Sequence, residues 1–335
     1  MTPLLPDPRG RLSEWVIERL GASADGPAPS PAGDDPLFGD DFHLALYVCY
    51  ELHYRGFEGV ADDREWDPSV LAFRRSLEDL FLEALQGAVP SGPGSRAGVV
   101  AELRALSEME TSPSITKYVA SHATVDDVKE LLTHRSIYHL KEADPHSWAI
   151  PRLSGKPKVA LAEIQSDEYG SGRPERLHAQ LFADSMVELG LDPSYGAYAN
   201  LVPGVTLGAL NLMSMFGLQR RWRGAIAGHL ALFEMTSSEP NRRLGDGLRR
   251  LGYGPRATAF FDEHVEADSV HEVIALHDLA EALATDEPQL AGDIVFGARC
   301  LHRFDQESAS WLVGAWSQGR SSLLDSARVG PAPAR

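Results

Sequence analysis

The chain has 335 residues, 43% of them hydrophobic, and its 48 acidic against 31 basic side chains give a formal net charge of −17. That is enough for one large domain or two smaller ones. The negative balance speaks against nucleic acid, which selects a basic face, and against an anionic membrane surface.

Residues 1–40 start without the basic-then-apolar pattern of a secretory leader, and residues 23–37 (ASADGPAPSPAGDDP) are too rich in Pro, Gly, Ala and Asp to order alone. This stretch is expected to be largely disordered. Helical periodicity then begins at residues 41–54. It returns at 68–85, where Asp67 precedes Pro68 as an N-cap. Residues 87–97 read as a loop. Residues 124–142 open on Thr124 with Asp127 three places on, a capping-box pattern, and end before Asp144-Pro145.

Further helices are expected at about 158–168, 176–189, 205–216, 222–235, 241–251, 255–267, 269–285 and 287–318. The apolar stretch 201–218 reads as a buried core helix, since Pro203, Gly204, Gly208, Asn211 and Ser214 interrupt it. No run of 18 uncharged apolar residues exists, so no membrane span is expected. Residues 321–335 read as a disordered tail. Cys49 and Cys300 belong to no CxxC pair and suit buried thiols in a reducing, cytoplasmic setting. An all-cysteine iron–sulfur cluster needs more thiolates than that.

The strongest chemical signal is His264, Asp268 and His271, at i, i+4 and i+7. On a helix these lie within about 60° of one another. Asp268-x-x-His271 is matched upstream by Glu175-x-x-His178, and two such pairs plus carboxylates from other helices hold two metal ions in helical bundles. Glu168 shares a face with Glu175 if the helix survives Gly170–Pro174, which should distort it. Glu142, near a helix C-terminus, opposes the macrodipole in a way a metal would relieve.

Each residue also has a plainer reading: Glu142 as a solvated helix end, Glu168 as a loop acid, His178 as a core histidine, the triple as a surface cluster. Imidazoles with carboxylates suit iron better than calcium or magnesium, which prefer oxygen-only sets. Glu51 and Glu234 are acids in apolar helical stretches, readable either as partners orienting a ligand histidine or as buried acids paired with Arg55 or with Arg221–Arg223. Arg135 and Arg152 are candidate anchors for a carboxylate substrate. Tyr138, His139, Trp148, Tyr169, Asn211, Met213 and Met215 are candidate pocket residues whose default role is packing.

These residues carry a resemblance. Glu142, Glu168, Glu175-x-x-His178 and His264-x-x-x-Asp268-x-x-His271, together with LKEADPHSWAIPRL and EIQSDEYGSGRPERLHAQLF, make the chain similar to the haem-oxygenase-like diiron oxidases and oxygenases, also called iron-containing redox enzymes. The resemblance covers roughly residues 120–320. It implies an all-α haem-oxygenase-like bundle over residues 121–320, preceded by a helical extension at 41–120 packing on it. It also implies two iron ions held by all seven residues, the second often weakly, and dioxygen as co-substrate. The reaction would be N-oxygenation, desaturation or oxidative C–C cleavage of a small amino-acid-like or fatty-acid-like substrate, with room for an external electron donor and a homodimer. A manganese variant of the site, or a non-catalytic iron-storing or iron-sensing bundle, stays open.

Overall fold

The structure, a computed structural model, describes residues 2–21, 26–90, 92, 96–109 and 112–324, and gives only the helical backbone for 266–270. Among the described residues the regular elements are all helical. The first five helices are α1 (Arg11–Gly21), α2 (Asp40–Glu51), α3 (Pro68–Ala88), α4 (Arg96–Glu108) and α5 (Ile115–Ser121). Then come α6 (Val125–His139), the single turn α7 (Asp144–Ser147), α8 (Gly155–Glu168), α9 (His178–Glu188) and α10 (Gly204–Leu218). The chain closes with α11 (Arg223–Met235), α12 (Ser238–Arg250), α13 (Pro255–Val273), a π-helical segment (Ile274–Glu281), α14 (Ala282–Asp286) and α15 (Ala291–Trp316).

Local signals account for several boundaries. Asp67 caps α3, its carboxylate accepting from Ser69 N at 2.8 Å. Thr124 and Asp127 form a reciprocal capping box on α6, as their spacing predicts. The apolar α10 runs through the middle of the molecule, with α2, α11 and α15 packed on it. Between α11 and α15 the backbones touch: a Cβ on Gly228 would collide with the Ile294 carbonyl, and one on Gly297 with that of Ala225. Only glycine permits so close an approach.

The structure differs from the sequence expectation in three places. Residues 2–21 are folded onto the core rather than disordered: α1 buries Leu12, Val16 and Leu20, and the Asp41 carboxylate accepts from Leu12 N and Ser13 N, both at 2.9 Å. The cap is thus supplied by the start of α2, which local composition cannot reveal. Second, residues 255–286 form one continuous helical run whose π-helical segment begins three residues after His271; π-segments shift the register of the helix beyond them and frequently accompany functional sites. Third, Leu323 is buried and Ser322 N donates to Glu130 at 2.8 Å, so the chain is ordered through 324. The rest of the expected tail, 325–335, lies outside the described residues. A single hydrophobic core runs from Leu12 to Leu323 and takes in α2, so the segment 41–120 shares its core with residues 121–320.

Two buried histidines packed against α10 set an acid limit. His43 Nε2 donates to the Leu37 carbonyl at 2.7 Å, and His134 bridges Thr206 and Ser322 at 2.7 and 3.0 Å. Burial lowers both from the ordinary 6.5 to about 4. Between these values the unfolded chain binds the extra protons. Stability from these groups is therefore complete above about pH 6.5 and falls as pH drops toward 4, by about 1.4 kcal/mol per pH unit for each. These two groups alone contribute a loss of about 4 kcal/mol between pH 7.5 and pH 5, to which His146 and His229 add and which His271 opposes; urea unfolding that shows equal stability at the two values would contradict neutral, buried imidazoles.

Candidate metal centre

Three helix ends, the turn after α6 and one face of α13 bring the site together. Glu168 is the last residue of α8, Glu234 the penultimate residue of α11, and Glu142 follows the end of α6. All three carboxylates therefore sit where helix dipoles are negative, and all are at most 7% exposed. His178 opens α9, while His264 and His271 share one face of α13 two turns apart. Ala143, directly after Glu142, is held at φ 76°, a conformation costly for a residue with a Cβ and often found at functional sites.

The side chains form two groups that share one member. Glu142, Glu168, His178 and His264 each place a donor atom within 4.8 Å of the others, and Glu168, Glu234 and His271 do the same. Glu168 Oε2 lies 2.9 Å from His178 Nδ1, and Glu234 Oε2 lies 3.4 Å from His271 Nδ1. Glu142 Oε1 lies 3.7 Å from His264 Nε2.

Proximity here is not hydrogen bonding. Glu142 Oε2, Glu168 Oε2, His178 Nδ1 and His271 Nδ1 are buried without a hydrogen-bond partner. Such atoms are costly unless something fills the space they face, and a cation does so for carboxylate oxygens and imidazole lone pairs alike.

Neighbouring residues orient the donors. His264 Nδ1–H donates to the Phe260 carbonyl at 2.8 Å, which leaves Nε2 as the lone-pair nitrogen on the site side. His271 Nε2–H donates to Asp167 at 3.1 Å, leaving Nδ1 toward Glu234. His139 Nδ1 donates to Glu142 Oε1 at 2.7 Å, and its ring packs against Phe182 and Phe260. Such outer contacts fix imidazole tautomers and carboxylate angles around metals.

The electrostatics agree. For Glu142, burial alone would raise the pKa, but His139 and His264 outweigh it and hold the carboxyl well below its usual range. Burial would lower His271, but Glu234 and Asp167 outweigh it and lift it to about 9. His178 is raised too, Glu168 overcoming burial. The cluster thus draws positive charge onto its own histidines, and a metal would take the place of those protons.

The structure brings Glu142, Glu168, His178, His264 and His271 together. It leaves Glu175 exposed in the short turn Pro174–Arg176 that precedes α9. The helical pairing of Glu175 with His178 is absent because α9 starts only at His178, after Gly170 at φ 77° and Ser171 at φ 49° have turned the chain. The side chain of Asp268 lies outside the described residues.

Glu234 is the acid that motif spacing did not place in the site; its only signal was a carboxylate in an apolar helix. Glu51 pairs with Lys141 and not with Arg55. Arg152 donates to the carbonyls of Gly217 and Leu218, capping the end of α10. Asn211, Met213 and Met215 are core residues, and Tyr169 lies at the surface, bonded to Asp144.

Among the described residues no helix is long and apolar enough to cross a membrane. No curated protein matches the chain. The family described as iron-containing redox enzyme matches residues 129–306, more than half of the chain and all of the site just described, and the chain belongs to that family.

Proposed function

We propose that the chain is a non-haem diiron oxidase or oxygenase that uses dioxygen to oxidise a small organic molecule. The observation that supports this most is the set of four buried donor atoms without hydrogen bonds, in two adjoining groups that share Glu168. Glu142, His178 and His264 would hold one ion. Glu234 and His271 would hold the other, with Asp268 a further ligand suggested by its spacing on α13. Glu168 offers oxygen atoms to both. Two bound ferrous ions would supply reductive activation of dioxygen, renewed by an external electron donor.

The protein's own part is to hold and insulate. Phe182 and Phe260 line the side of the site occupied by His139, His178 and His264, with ring centroids 4.4–6.4 Å apart, and exclude water there. The carboxylates balance the ionic charge in that dry surrounding. N-oxygenation, desaturation and oxidative C–C cleavage are the outcomes such a site allows.

The test is anaerobic titration of the metal-free chain with Fe(II), followed by rapid mixing with dioxygen. Two ions per chain and a transient visible absorption band are expected. A chain that binds one ion or none, or one that binds manganese and stays inert to dioxygen after iron loading, would overturn the proposal.

A further inference from the structure

Glu142 stands in a turn whose own backbone holds it weakly. Its N–H reaches the His139 carbonyl only at 3.4 Å, and Ala143 after it sits at φ 76°. An alanine relaxes out of that conformation unless its surroundings over-determine it. His139 orients the Glu142 carboxyl group, but the turn itself needs a second hold.

α8 supplies it. Gln165, Glu168 and Tyr169 lie at i, i+3 and i+4 on one face of that helix end. Gln165 is 2% exposed, and its Nε2 donates to the Ala143 carbonyl at 2.6 Å and to Ser147 Oγ at 2.7 Å. Ser147 Oγ lies 2.9 Å from Tyr169 OH, which donates to Asp144 Oδ1 at 2.8 Å. The bonds run one way, from amide to serine to phenol to carboxylate, and each hydroxyl accepts one and donates one. Gln165 and Tyr169 thus grip residues 143–147. Glu168, between them in sequence, meets the Glu142 carried by that turn, with donor atoms of the two acids within 4.8 Å.

Stability alone does not explain this arrangement. Gln165 Oε1 is buried without a hydrogen-bond partner, and an orphan amide oxygen is costly. An apolar side chain would fill the same place without it. The left-handed alanine adds to that cost. Both features have a reason if the Gln165 nitrogen is kept to hold the turn.

We propose that Gln165, backed by Ser147 and Tyr169, is a positioning residue: through the Ala143 carbonyl it locks the turn left-handed and fixes the Glu142 carboxylate against Glu168 before a metal arrives. This inference rests on the diiron reading for the purpose of Glu142, but not for the clamp itself.

The test compares the full-length chain with Gln165→Met, Ala143→Gly, their double variant, and Tyr169→Phe as a milder cut at the exposed end. Anaerobic Fe(II) titration and the visible spectrum of the Co(II)-loaded chain read the site. Hydrogen exchange of the metal-free chain over residues 141–148 reads the turn. Methionine keeps the length and helix preference of Gln165 but cannot donate. Gln165→Met is expected to weaken one metal position about 10- to 100-fold, to change the Co(II) spectrum and to speed exchange over 141–148. Tyr169→Phe should act in the same direction and less. Losing the orphan oxygen offsets part of what the two bonds contribute, so the metal-free melting temperature of Gln165→Met should change little. Ala143→Gly added to Gln165→Met should return part of the lost affinity and spectrum, because glycine adopts a positive φ without a clamp. A clasp that only stabilised the fold would lower the melting temperature, leave the Co(II) spectrum unmoved and gain nothing from glycine.

Wild-type affinity and spectrum in Gln165→Met would overturn the proposal, as would a loss that Ala143→Gly leaves unrepaired. If Gln165→Met does not fold, wild-type affinity, spectrum and exchange in Tyr169→Phe would overturn it. A wild-type chain that takes up no metal, with exchange over 141–148 still faster in Gln165→Met, would sustain the clamp and sink the diiron reading instead. No metal uptake and unchanged exchange would overturn both.

Discussion

Glu168→Gln is expected to weaken iron binding at both positions, by more than the roughly 100-fold seen when residues that merely orient a ligand are removed. Glu168 is the one residue common to both donor groups, and its amide would lose an anionic oxygen without changing shape. Glu142→Gln and Glu234→Gln should each weaken one position and spare the other, because each belongs to a single group. The helices should be unaffected. Glu168 ends α8 where the dipole is negative and sits among other buried acids, so removing its charge should not lower the melting temperature of the metal-free chain. Circular dichroism and Fe(II) titration of the three variants make the comparison. If Glu168→Gln keeps two ions at wild-type affinity, the shared-carboxylate arrangement is wrong.

Glu51→Ala should produce the largest loss of stability among the changes considered, about 3–5 kcal/mol. Lys141 is fully buried, and Glu51 is its ion-pair partner at 2.5 Å. Its ammonium also lies 3.9 Å from the centre of the Tyr54 ring, and Tyr195 OH donates to the other Glu51 oxygen. Burial lowers the Lys141 pKa, and Glu51 is the main group opposing that shift. Without Glu51 the ammonium must either stay charged and unpaired or give up its proton. Replacing both partners, as Glu51→Leu with Lys141→Met, should recover most of the loss, since an apolar pair leaves no orphan charge. Lys141 also precedes Glu142 in the chain, so Glu51→Ala should weaken iron binding as well. Urea unfolding of the single and double variants decides the matter: a loss under about 1 kcal/mol for Glu51→Ala would show that the pair is a bystander.

How far the site could be read in advance depended on what positions each residue. His264 and His271 are placed by helical period alone, since seven residues make almost two whole turns. Glu142, Glu168 and His178 were legible as chemistry and as neighbours of helix ends, but their convergence was not. The glycine-rich turn at 170–172 decides whether Glu175 or only His178 faces inward, and a positive φ at Ser171 cannot be foreseen from spacing. Glu234 was half visible, as an acid where an apolar helix should have none.

The all-helical architecture, the caps at Asp67 and Thr124, the buried character of α10 and the chemistry of the donor set come from local pattern, because periodicity, capping and ligand preference act within a few residues. The partnership of Glu234 with His271, the Lys141–Glu51 pair and the cap that Asp41 lends to α1 link residues 28 to 90 positions apart. Those were settled only by packing, which decides which buried charge meets which.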